Sequence, residues 1–203
     1  MIFFNSPNPA PNPRRVRIFA AEKGIALDTR DLSIPAREHK TDDYLAINPR
    51  GQVPALQLDD GTVLTESVAI CRYLETLHPE PPLFGQGAMQ QAQIEMWSRR
   101  VEMILMTTVG AVWVHTHRFT AAIPGRNAEW GEANRPRAVE ALRYFDGALQ
   151  AREFLAADHF TIADILLLTT VDFAGFIGVA LPEDLSNLRA WHARVSARPS
   201  AAA

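Results

Sequence analysis

Two short stretches of this chain carry groups that can grip a small peptide: Asn48-Pro49-Arg50-Gly51-Gln52-Val53-Pro54-Ala55-Leu56 and Thr65-Glu66-Ser67-Val68-Ala69-Ile70. Val53 can offer its backbone N–H and C=O to an extended ligand, because Pro54 has no N–H with which to continue a ladder. A cis Val53–Pro54 bond would turn those groups outward; cis is the minority state for X-Pro and must be held by its surroundings. Ser67 stands where a helix opens, and the first N–H groups of a helix suit a carboxylate. Glu66 beside it can pair with an ammonium group. A ligand with a peptide unit, an α-carboxylate and an α-amine would meet all of these. Taken singly, each stretch has a plainer explanation, an edge-strand proline or a helix cap.

The elements that must position these groups follow from pattern. Ile2 to Phe4 reads as a buried strand, followed by a Pro/Asn-rich loop from Ser6 to Pro13. Asn12 looks like an N-cap with Pro13 at the first helical position, and Gly24 ends that helix, whose inward stripe is Val16, Phe19 and Ala20. Ala26 to Leu32 alternates as a strand, and Arg37 to Ile47 contains a short helix. Ala55 to Leu58 and Thr62 to Leu64 flank Asp59-Asp60-Gly61, a hairpin signal, and a helix from Ser67 to His78 closes the unit. Pro79-Glu80-Pro81-Pro82 lacks most backbone donors and marks a linker.

Everything beyond is helical in pattern. Ala88 to Arg118 reads as one long helix with Ile94, Trp97, Val101, Ile104, Leu105 and Val112 for burial, and Pro124 to Asn134 as loop. Arg135 to Gln150 carries Val139, Leu142, Phe145 and Leu149 at helical spacing. Thr161-Ile162-Ala163-Asp164 has the form of a capping box, with Asp in the Glu position, opening an apolar helix through Phe176. Asn187 to Ala197 forms a last helix around Trp191.

The N-P-x-G-x-V-P and E-S motifs, in that order within a βαβ–αββα-patterned first third, resemble those of the cytosolic glutathione transferases, and the resemblance covers nearly the whole chain. It implies an α/β thioredoxin-like N-terminal domain (residues 1–78), a linker (79–87) and an all-α helical bundle (88–203). Glutathione has a peptide unit, an α-carboxylate and an α-amine. The resemblance implies that it lies extended across Val53 and Pro54, with its γ-glutamyl end at Glu66 and Ser67 and an amide contact from Gln52. His39 or Lys40 occupies the family position for the glycyl carboxylate; His39 also fits an ordinary surface histidine. In this family the Thr161/Asp164 box is a folding element. A twofold homodimer is implied too, with Glu95, Arg99, Arg100 and Met103 as interface positions, although surface ion pairs would give the same spacing.

Catalysis needs more than binding. A thiol with a pKa near about 8.5 is mostly protonated at neutral pH, and only the thiolate attacks. Lowering that value by about two units takes roughly 2.7 kcal/mol of preferential thiolate stabilisation. The family donor is a Tyr near the end of the first strand, or a Ser or Cys just before the first helix. Here Phe3, Phe4 and Asn5 stand where the Tyr would be, the three tyrosines are Tyr44, Tyr73 and Tyr144, and Ala10-Pro11 fall at the Ser position. Two substitutes remain. Asn12 can donate its amide beside the positive end of the helix, and Ala10-Pro11-Asn12 resembles the Thr-Pro-Asn segment of the bacterial nu-class enzymes, with Ala10 in place of the Thr. As a plain N-cap, Asn12 would have no donor to spare. Ser6 is the second substitute, or a loop residue.

For the acceptor, Met103, Met106, Gly110, Trp113 and His117 recur at steps of three and four and would share one helix face, serving either as an adaptable apolar pocket or as core. His115 and His117, two apart on a helix, point to different faces and do not suggest a metal. Composition bounds the rest. The chain has 203 residues, 47% of them hydrophobic, and a net charge of −3, so it is long enough for a substantial core and shows neither a nucleic-acid stripe nor a membrane-spanning run. Arg14-Arg15-Val16-Arg17 is locally basic, solvating a helix face or offering charge to an anion. The single Cys71 rules out an intrachain disulfide and suits a reducing compartment, and Met1 to Asn5 is too short an apolar run for a signal peptide. The expected protein is a cytoplasmic, homodimeric glutathione S-transferase of detoxification type. It would stabilise the glutathione thiolate for attack on a small hydrophobic electrophile, with glutathione as co-substrate and no metal. The alternatives are a nu-like glutathione-dependent disulfide reductase and a non-enzymatic glutathione-binding or assembly module.

Overall fold

Phe3 and Phe4 alternate across β1 (Ile2–Asn5) and are both buried, which places this strand at the centre of the first layer. In the computed structural model, which describes residues 1–203, β1 pairs in parallel with β2 (Asp28–Asp31) and antiparallel with β3 (Ala55–Gln57). β3 continues antiparallel into β4 (Val63–Thr65), and the sheet order is β2-β1-β3-β4. Helix α1 (Pro11–Glu22) crosses from β1 to β2, α2 (Asp42–Ile47) follows a 3-10 turn at Glu38–Lys40, and α3 (Ser67–Leu77) follows the hairpin. This is the thioredoxin-like layout. Val16, Phe19 and Ala20 of α1 and Ile70, Cys71 and Leu74 of α3 are buried, so the core is built by stripes at helical spacing.

The chain divides into two units, Met1–Leu83 with Pro199–Ala203, and Phe84–Arg198. The division falls inside the expected linker at 79–87, with residues through Leu83 grouped with the sheet. The last five residues go with it as well, because Arg14 Nη2 donates to Ala201 O at 2.9 Å and Ser200 Oγ bonds the Glu22 carboxylate.

The second unit is all helical: α4 (Gly87–Arg100), α5 (Thr107–Thr116), α6 (Ala128–Ala148), α7 (Ile162–Phe176) and α8 (Ser186–Ser196). Two expectations are corrected here. The single helix expected from Ala88 to Arg118 is interrupted by a π-helical segment, Val101–Met106, and α5 stops at Thr116. The Thr107 hydroxyl donates to Glu102 O, five residues back, within that wider turn. The loop expected through Asn134 is instead the first part of α6, opened by Asn127, whose side chain accepts from Trp130 N at 3.0 Å. Gly131 and Pro136 hid those turns. Gly131 serves close packing, since a Cβ there would lie 2.9 Å from His115 Cβ. The Thr161/Asp164 capping box forms, and its Asp164 carboxylate also accepts from Leu155 N at 2.9 Å and Trp191 Nε1 at 3.0 Å. No helix is long and apolar enough to cross a membrane.

Candidate functional site

The Gln52-Val53 loop is held from below. The Tyr44 hydroxyl and the Asn48 amide both donate to Gln52 O, at 2.6 and 2.7 Å. Gly51, at φ +55, passes so close to the 3-10 turn that a Cβ would sit 2.6 Å from His39 O and 2.8 Å from Lys40 Nζ. The Val53–Pro54 peptide is cis, and Val53, outside β3, has no backbone partner for its N–H or C=O. An extended peptide could therefore bond there as an added strand.

At one end of this loop stand His39 and Lys40. Lys40 Nζ donates to Arg50 O at 3.0 Å. His39 Nδ1 is buried without a partner, and burial, then Lys40 and Arg37, push the imidazole below its ordinary value. At neutral pH the charge available to a carboxylate on this side is that of Lys40, with His39 a neutral neighbour.

At the other end, the first helical bond of α3 runs from Ile70 N to Glu66 O, so the N–H groups of Ser67, Val68 and Ala69 precede it without helical acceptors. Ser67 is buried, and Arg15 Nη1 donates to its Oγ at 3.5 Å. Arg15 is only 3% exposed, which corrects the reading of its basic run as a solvated face. It places a guanidinium beneath the N-terminus of α3, where helix dipole and cation add. Glu66 is exposed at φ +65, a conformation costing a non-glycine residue of order 1–3 kcal/mol and one that concentrates at ligand clamps.

The first helix begins earlier than its sequence suggested. Ala10 is the N-cap, Pro11 is the first helical residue and Asn12 is the second, so Asn12 has no capping duty. Pro11 and Pro13 lack N–H groups, and Arg14 N already bonds Ala10 O at 3.4 Å. Asn12 thus owns the one free backbone N–H of that first turn, next to its half-buried carboxamide. Ser6 is buried, with its carbonyl bonded to Arg17 Nη1 at 3.1 Å; Arg17 also spans Asn5 and Asn8 and pins the loop. Cys71 is buried and burial pushes its thiol well up, which removes it as a nucleophile.

In the second unit, the residues expected to share a face separate into two groups. Met103 lies in the π segment, 71% exposed, because the wider turn breaks the three-and-four phase. Met106 is half-buried, a Cβ at Gly110 would meet nothing within 4 Å, and Trp113 packs against His117 with centroids 4.5 Å apart and the rings tilted by 31°. Sequence reasoning missed the rest of this cluster: Phe173 lies 5.2 Å from Trp113, and Phe176 and Phe119 lie 5.5 and 5.0 Å from His117. Phe119 (59%) and Phe176 (42%) remain exposed, so the rings form an open aromatic wall. No group of three or more His, Cys, Asp or Glu is arranged to hold a metal ion.

The chain thus joins a thioredoxin-like sheet unit, with an open backbone position at Val53, to an all-helical unit. Residues 10–77 match the family model described as glutathione S-transferase, N-terminal domain, and residues 103–199 match glutathione S-transferase, C-terminal domain. The chain is 36% identical to glutathione S-transferase 2 of Saccharomyces cerevisiae, over 98% of this chain and 87% of the relative. It is 31% identical to glutathione S-transferase GstA of Escherichia coli O157:H7, over 98% and 94%. Among solved structures, a glutathione S-transferase domain-containing protein of Marinobacter aquaeolei VT8 superposes with a TM-score of 0.93 at 38% identity, covering 98% of this chain and 99% of that one. The chain belongs to the glutathione S-transferase family.

Proposed function

We propose that this protein binds glutathione across Val53 and conjugates its sulfur to a small hydrophobic electrophile. The observation that carries the reading is the pairing of an unpartnered Val53 backbone with the Ser67 helix N-terminus, which matches a peptide bearing an α-carboxylate. The γ-glutamyl carboxylate takes Ser67 Oγ and the free N–H groups of α3, its ammonium takes Glu66, and Gln52 adds an amide contact. Lys40 takes the glycyl carboxylate. Asn12 stabilises the thiolate with its backbone N–H and carboxamide at the positive end of α1. Met106, Gly110, Trp113 and His117 form the acceptor face. A cytoplasmic homodimer is the assembly we propose, and exposed Met89 and Met103 are apolar groups that a second copy would cover.

An ultraviolet pH titration of bound glutathione tests the thiol role. The thiol pKa is expected well below that of free glutathione in wild type, and higher by about one unit, worth roughly 1.4 kcal/mol, in Asn12→Ala. An unshifted wild-type pKa with binding intact would sink the transferase reading and leave a glutathione-binding module. Rapid turnover of hydroxyethyl disulfide without conjugation would replace it with a reductase. The carboxylate clamp is tested separately: at pH 7.5, Lys40→Met should weaken glutathione binding by more than His39→Gln, measured by calorimetry. The reverse order would mean that His39 carries the charge.

A further inference from the structure

His115 and His117 stand at the end of α5, and each gives its Nδ1 to a backbone donor further along the chain. Asn127 N–H donates to His115 Nδ1 at 3.1 Å, and Phe119 N–H donates to His117 Nδ1 at 3.3 Å. A backbone N–H can only donate, so both neutral rings carry their proton on Nε2. The two bonds fall near opposite ends of the segment 118–127. Phe119 belongs to the 3-10 turn Arg118–Thr120, and Asn127 is the N-cap of α6. Residues 121–125 between them are exposed. The segment is also tied to α5 by Thr120 Oγ1, which donates to Trp113 O at 3.0 Å. Arg126 adds bonds to Val114 O and His115 O at 3.0 and 3.1 Å.

Protonation reverses the two histidine bonds. An imidazolium has N–H at both positions, so a donor would then face a donor. The surrounding charge does not compensate. Arg118 lies beside His117, and Arg126 holds the carbonyls of both histidines. From α6, Arg135 reaches Thr116 Oγ1 at 3.3 Å while paired with Glu132, and Glu129 lies in the first turn. From α7, His117 meets the apolar ring of Phe176. Neither imidazole is bonded to a carboxylate. Desolvation, then Arg118, pushes the His117 imidazole below its ordinary value. A histidine depressed in the folded state contributes stability above its unfolded value, and loses it as pH falls through the folded one.

We propose that His115 and His117 form an acid-released latch, fastening residues 118–127 when neutral and letting that segment open when protonated. Gly131 packs against His115 Cβ whatever the charge on the ring, so α5 and α6 keep their contact and the opening is local. The Phe119 ring, 5.0 Å from His117 and 6.5 Å from Trp113, leaves with the segment, so acid uncovers these two rings.

Hydrogen exchange on the ligand-free protein tests the latch, with amide rates followed by NMR from pH 7.5 to 5.0 and divided by the intrinsic rate at each pH. Protection of the Phe119 and Asn127 N–H groups should fall about 10-fold on acidification, as for the loss of one hydrogen bond, while amides inside α7 keep theirs. In His115→Asn/His117→Asn, Oδ1 takes the place of Nδ1 and accepts at every pH, so protection should stay flat. Unchanged wild-type protection overturns the inference, as does an equal fall in the double variant or throughout the helical unit. If the double variant does not fold, His115→Asn decides at Asn127 alone, by the same outcomes. Nitrogen chemical shifts of the wild-type imidazoles at pH 7.5 give an independent check: both rings should be the Nε2–H tautomer, and Nδ1–H in either one removes the latch. The transferase reading stands or falls separately, because no glutathione enters the experiment.

Discussion

Asp164→Ala should destabilise the protein by about 3–5 kcal/mol, enough to lower the melting temperature by roughly 10 °C. Asp164 is fully buried, and its two oxygens accept from Thr161 N and Oγ1, Leu155 N and Trp191 Nε1. Alanine would strand the Leu155, Thr161 and Trp191 N–H groups without an acceptor, and each buried orphan costs about 1–3 kcal/mol. Asparagine is not a full rescue, because both oxygens face donors and the amide must turn its NH2 toward one of them. The carboxyl also has a pH signature. Burial pushes its pKa above the usual carboxylate range despite the donors around it. A carboxyl with a raised folded-state pKa holds its proton more tightly when folded, so that contribution is complete below the unfolded value and is lost as pH rises through the folded one. The stability margin of wild type over Asp164→Asn should therefore narrow as pH rises above the ordinary carboxylate range. Urea melts at several pH values would show it, and a margin that widened would reverse the sign of the shift.

Ser67→Ala should raise the glutathione Kd about 10- to 100-fold on the proposed binding mode, corresponding to about 1.5–3 kcal/mol for a hydrogen bond to a charged group. The hydroxyl is buried, sits at the first position of α3 and is tied to Arg15, so it is oriented before the ligand arrives. The loss should appear in the binding enthalpy by calorimetry and should be smaller for a glutathione analogue lacking the γ-glutamyl carboxylate. Equal losses for both ligands would place that carboxylate elsewhere.

The groups proposed to grip the peptide were legible because local chemistry alone determines their backbone roles. A proline after Val53, a serine at a helix start and a glycine in the Asp59–Gly61 turn state their backbone roles in one or two residues. The capping box was equally plain. What stayed hidden depends on tertiary packing. Arg15 reads the same in sequence whether solvated or buried, and only the fold puts Ser67 over it. Asn12 looked like a cap because Asn-Pro is a helix-start signal, but Pro11 already suits the first helical position and the helix begins two residues sooner. Val101, Leu105, Val109 and Val112 fit an ordinary helix by spacing, so the π segment among them left no trace in the pattern. Phe173 and Phe176 belong to α7, distant in sequence from His117, and no periodicity within one helix could have joined them to it.

The grouping of Pro199–Ala203 with Met1–Leu83 makes the first unit discontinuous, with the helical unit inserted into it. A ribosome making this chain releases nearly all of the sheet unit early, yet cannot supply the partners of Arg14 and Glu22 until the whole helical unit has been synthesised. The sheet unit is thus begun before the helical unit and completed only after it.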